Sequence, residues 1–153
     1  MKFLKPSAGK NNNLLGLTLI EVIMVIGILG IVLVMGFPAA WDFYLGYQIE
    51  TERDNLVTLL REARNTSVIN RNEMNHGLYF DGNNFVVFEG VNYASRIQAE
   101  DRIIPRQGAV TINGPSEIVF TSLSGQATTS TYILTSTGRV RYVYVKSEGT
   151  VDW

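Results

Sequence analysis

Glu21 is the side chain that most demands a chemical reason. It stands at the head of residues 22–41 (VIMVIGILGIVLVMGFPAAW), a run with no charged residue. A carboxylate in such company is costly, so it either reaches back to water from a helix end or is paired with a cation. Elsewhere the chemistry is thinner. Glu100-Asp101 is an acidic pair with no base or nucleophile placed to complete a catalytic site. His76, the single histidine, falls at a predicted helix–strand junction and reads as a polar turn residue. Asp81-Gly82-Asn83 lacks the distal Glu of a calcium loop and reads as a hairpin turn. No phosphate loop or hydrolase elbow occurs. The absence of cysteine excludes disulfides, thiolate zinc sites and Cys nucleophiles, and one histidine cannot build an HExxH pair. The expectation is a protein that is not an enzyme and uses no cofactor and no metal.

The elements that must position Glu21 follow from length and charge. A chain of 153 residues supports one globular unit. Its charge is unevenly spread: residues 1–16 hold Lys2, Lys5 and Lys10 with no acid, while 17–153 hold the other 10 basic residues and all 14 acids. Twenty uncharged residues as a helix reach about 30 Å, roughly the hydrocarbon thickness of a bilayer. With lysines before the run and Asp42, Glu50 and Glu52 after it, the positive-inside rule leaves the N-terminus in the cytoplasm and exports the rest. A cleaved signal peptide fits less well. Ala39 and Ala40 offer small leaving ends, but Phe37 and Pro38 stand where a second small residue is needed. The apolar helix is therefore expected to stay on the mature protein.

The segment Gly16-Leu17-Thr18-Leu19-Ile20-Glu21-Val22 follows a short leader rich in Lys and Asn and opens directly into the apolar run. It resembles the cleavage and methylation motif of the type IV pilin and pseudopilin superfamily, usually G-F-T-L-I-E, with Leu17 in place of the usual Phe. The resemblance implies that a membrane prepilin peptidase and N-methyltransferase cuts between Gly16 and Leu17 and methylates the new N-terminus. It divides the chain into a leader (1–16), a transmembrane and filament-core helix (17–41) and an extracytoplasmic pilin-like domain (42–153). Independently of family, such a cut creates an α-amine with a pKa near about 8, one helical turn from Glu21. In a helical filament the carboxylate of one subunit can then meet the amine of its neighbour, and two costly isolated charges become one pair. Gly27, Gly30 and Gly36 lie along the span, and Pro38 removes a backbone donor near its end, where a kink is expected. Leu17, Glu21 and Pro38 are the assembly candidates. The implied partners are the peptidase, other pilin or pseudopilin subunits, a membrane assembly platform and plasma (inner) membrane lipid, with the single-pass chain later drawn into a pilus or pseudopilus.

Beyond Trp41 the apolar positions Leu45, Ile49, Leu56, Leu59, Leu60 and Ala63 recur at helical spacing, predicting that the helix continues to about Asn70–Asn75. The remainder reads as strands. Leu78–Phe80 and Phe85–Phe88 flank Asp81-Gly82-Asn83-Asn84; Ala109–Ile112 and Glu117–Phe120 flank Asn113-Gly114-Pro115; Thr131–Thr135 and Arg139–Val145 flank Ser136-Thr137-Gly138; a short strand surrounds Val151. These predict an α+β fold in which one twisted antiparallel sheet packs on Leu56, Leu60 and Ala63. Residues 90–108, with Arg96, Arg102, Arg106, Glu100 and Asp101, read as a long, mostly solvated loop.

This order, with the Ala63-Arg64 pair and the Gly149-Thr150-Val151 tail, is similar to the H-type minor pseudopilins of type II secretion and FimT-like pilins. The implied function is a structural subunit of a type II secretion pseudopilus or type IV pilus-like filament. The alternative is a DNA-binding FimT-like minor pilin of natural transformation, in which Arg139 and Arg141, on one strand face, contact phosphate. Against DNA stands the tail Gly149–Trp153, which carries an acid and no arginine. Absent a nucleic acid, the two arginines read as gatekeepers on a solvated strand edge.

Overall fold

The computed structural model describes residues 16–106 and 108–153, so residues 1–15 of the expected leader lie outside the described residues. Two compact units divide the chain, the first ending at Ala40 and the second spanning Trp41–Trp153. Helix α1, Leu19–Val68, contributes to both. Its start is set locally. Thr18 lies just outside the helix, and its Oγ1 accepts the Glu21 amide at 3.3 Å while its carbonyl accepts the Val22 amide at 3.2 Å, which are the bonds of an N-cap. Pro38 falls inside the helix.

In the first unit the apolar side chains stand exposed, from Leu19 through Ile23, Leu29 and Leu33 to Phe37. This helix is long and apolar enough to cross a membrane.

In the second unit the helix acquires a buried face. Ile49, Leu56, Val57, Leu59, Leu60 and Ala63 enter one core with side chains from eight strands' worth of chain. The strands are β1 His76–Phe80, β2 Asn84–Glu89, β3 Arg102–Pro105, β4 Thr111–Asn113, β5 Glu117–Phe120, β6 Ser130–Ser136, β7 Arg139–Val145 and β8 Val151–Asp152. All pairings are antiparallel, in the orders β3-β2-β1-β5 and β4-β6-β7-β8. The α+β class expected from sequence is the observed one.

Two predicted hairpins form as expected. Between β1 and β2, Asp81 Oδ1 accepts the Asn83 and Asn84 amides at 2.8 and 2.5 Å, and Gly82 supplies a φ of 92°. Between β6 and β7, Thr137 and Gly138 both take positive φ, 42° and 79°, with Ser136 opposite Arg139. That is the two-residue primed turn whose twist matches paired strands.

The third predicted hairpin does not form, and one sheet becomes two. β4 pairs with β6 and β5 with β1, so Asn113-Gly114-Pro115 carries the chain from one sheet to the other. A Cβ on Gly114 would sit 2.6 Å from Tyr132 Cδ1, so the crossing backbone lies against a buried ring and needs glycine for that approach. The helix ends at Val68, short of the expected 70–75, because Ser67 latches it there. Its buried hydroxyl donates to the Phe120 carbonyl at 3.0 Å and accepts the His76 amide at 2.9 Å, and Asn70 then turns left-handed at φ 56°.

Candidate functional site

The predicted processing and assembly residues Gly16, Leu17 and Glu21 fall on one short stretch. Gly16, Leu17 and Thr18 are non-helical and exposed, and nothing lies within 4 Å of where a Gly16 Cβ would stand. Glu21 occupies the first turn of α1, where its charge favours the positive end of the helix dipole. Thr18-x-x-Glu21 is also the pattern of a capping box, a local role for these two residues that charge alone does not reveal. Leu17 and Glu21 are thus four residues apart, the carboxylate on the first helical turn and Leu17 on exposed, non-helical chain. Gly27, Gly30 and Gly36 likewise have nothing within 4 Å of a Cβ position. Pro38, the remaining assembly candidate, does not end the helix.

Arg139 and Arg141 sit elsewhere, and not on a solvated edge. They share the face of β7 that carries Val143 and Val145 into the core, while Val140, Tyr142 and Tyr144 face outward. Arg141 meets Glu50 through Nε at 2.7 Å and Nη2 at 2.6 Å. Arg139 Nη1 donates to the Asp42 carbonyl at 2.9 Å. Both guanidinium groups therefore lie on the helix segment 42–50.

Segment 90–108 is mostly exposed, as expected, but it is not loop throughout. Its end is strand β3, which edges the first sheet. Arg106 is buried against buried Glu52, Nε to Oε1 2.6 Å, and its other nitrogens donate to the Gly82 and Val110 carbonyls at 2.5 and 2.7 Å. Its guanidinium also lies 4.5 Å from the Phe80 ring centroid. Helix, hairpin turn and following loop are clamped by one side chain, whose charge could be buried only because an acid was supplied opposite. Arg96 similarly pairs with Asp101 at 2.7 Å.

His76 is likewise buried, being the first residue of β1 and not a turn residue. Its Nε2 lies 3.6 Å from Glu89 Oε2, which accepts the Asn72 amide nitrogen at 2.8 Å. Burial pushes the imidazole pKa below 6.5, with Arg71 acting the same way and Glu89 and the Met74 backbone opposing. A cleft of about 180 Å³ opens there, lined in part by Glu62, Thr66, Arg71 and Arg102. Among the described residues no group of three or more His, Cys, Asp or Glu could hold a metal.

At the far end of the chain, Trp153 lies under the Arg61 guanidinium at 4.1 Å, and the Glu148 carbonyl accepts from Arg64 at 3.4 Å. The tail is held on the helix, a contact the sequence signals only through its closing aromatic. In comparisons with known proteins, no family model, no curated protein and no solved structure matches the chain.

Proposed function

We propose that this chain is a pilin-like filament subunit: anchored in the plasma membrane with its leader in the cytoplasm, cut after Gly16, methylated at Leu17, and assembled through α1. It acts by assembly and recognition, not catalysis, as a minor subunit of a secretion pseudopilus or a related pilus. Supporting this function is the meeting, at one helix start, of an exposed, non-helical Gly16–Leu17 with a carboxylate one turn along, ahead of apolar side chains that stand exposed among the described residues. A peptidase needs the first, an intersubunit charge pair the second, and a filament core the third. DNA capture through Arg139 and Arg141 finds less support, because Arg141 already faces Glu50.

Glu21→Ala separates the steps. The variant is expected to be cleaved normally and to remain in the membrane, with incorporation into filaments lost on immunoblots of sheared fractions. Wild-type incorporation would contradict the charge-pair role. Because Thr18 keeps its cap on the Glu21 backbone amide in that variant, helix content should not change.

A further inference from the structure

Directly after the uncharged run comes a second chemical zone. Trp41, Phe43, Tyr44 and Tyr47 are all exposed, and the Trp41 and Tyr44 rings lie 6.0 Å apart. At 100° per residue they spread over roughly 160° of the helix circumference. Leu45, Gly46 and Ile49, partly or fully buried, occupy the other side. Amphipathic aromatics immediately following an apolar span are the composition of a bilayer–water interface.

The domain adds a cation to this zone. A Cβ on Gly46 would collide with Arg139 Nη1, so the guanidinium end lies directly against the helix at this glycine. Its partner there is the Asp42 carbonyl, which is neutral, and Arg139 forms no ion pair among the described residues. Arg141 differs, since Glu50 offsets its charge. Between them a cleft of about 360 Å³ is lined by Phe43, Gly46, Tyr47, Glu50, Arg139 and Arg141. Apolar walls beneath a guanidinium with donors to spare suit a molecule that is phosphate at one end and hydrocarbon at the other.

We propose that this cleft is a phospholipid site, in which Arg139 donates to the phosphate of an anionic headgroup and Phe43 and Tyr47 flank the glycerol backbone. The site rests on the membrane-anchored reading above. Glu50 is shared by Arg53 and Arg141, and with the nearby acids Asp42 and Asp54 it leaves no broad positive field, so recognition comes through directed guanidinium–phosphate hydrogen bonds. Its consequence is that the domain docks on the bilayer surface before assembly and must release a lipid to leave it.

The test uses the full chain in nanodiscs of phosphatidylcholine alone, or with about a third phosphatidylglycerol, reading amide exchange at residues 137–141. Wild type should exchange about fivefold more slowly with the anionic lipid, the effect of one arginine at a charged surface. Arg139→Gln should lose that lipid dependence, and Arg139→Lys, which cannot bond bidentately, should keep only part of it. The ratio between lipids is what is read, so a change in the hairpin's own stability cancels. Equal exchange in both lipids would overturn the site, as would equal protection in Arg139→Gln. Protection by inorganic phosphate in neutral discs would assign it to free anions; protection by duplex DNA, or only in discs holding several copies, would assign it to DNA or a second subunit. Each of those overturns the lipid. A chain that stays out of discs overturns the anchor itself, a distinguishable failure.

Discussion

Between residues 19 and 40, helix α1 exposes nearly every apolar side chain it carries; between 41 and 68 it buries Ile49, Leu56, Leu60 and Ala63 under two sheets. One secondary structure thus has two sources of stability. The second half brings its own cover, including an arginine delivered to Glu52 from 54 residues away. Among the described residues the first half stands exposed, and it is long and apolar enough to cross a membrane. The contrast separates the part that folds on its own cover from the part left exposed: substitutions in 41–153 should act on stability, and those in 19–40 on where the chain resides.

The sharpest way to break that division is at the clamp. Arg106→Ala leaves Glu52 buried without its cation, and should cost about 3–5 kcal/mol in urea titrations. An unchanged midpoint would mean that the ion pair is not part of the folded state. Next comes Val32→Arg, in the middle of the exposed run. A charge at a span's centre costs about 2.5–3.5 kcal/mol of insertion, so the variant should leave the carbonate-resistant membrane pellet. Its urea midpoint should match wild type, because Val32 is exposed and is not among the core residues. Loss of stability there would dissolve the contrast between the halves.

The smallest expected effect refines the second half alone. His76 has a folded pKa below its ordinary 6.5, so the unfolded chain takes up a proton first as the medium acidifies. Stability is therefore full above pH 6.5 and falls as pH drops below it. His76→Gln should flatten that slope in urea midpoints measured across the range. An identical slope would place the acid sensitivity elsewhere.

What could be read from sequence was local. The turns at Asp81-Gly82 and Thr137-Gly138 announce themselves because the same few residues set both dihedral angle and pairing. The apolar face from Ile49 to Ala63 is legible by period. Thr18-x-x-Glu21 is legible as a cap too, although the charge of Glu21 points first to the membrane. The rest is decided by partners distant in the chain. β5 chooses β1 over the adjacent β4, and Arg106 is a surface residue by composition until Glu52 takes it inside. His76 looks like punctuation between helix and strand, yet Ser67 holds its amide and Glu89 faces its ring. For the candidate site, Gly16, Leu17 and Glu21 were all named by their motif, whereas the seating of Arg139 on Gly46 depends on a hairpin packing across a helix.

The account turns on whether the apolar half of α1 is given a new N-terminus. Mass spectrometry of the chain extracted from membranes of a host with an active prepilin peptidase measures this directly. The predicted species begins at N-methylated Leu17. Recovery solely of molecules that still begin at Met1 would contradict it.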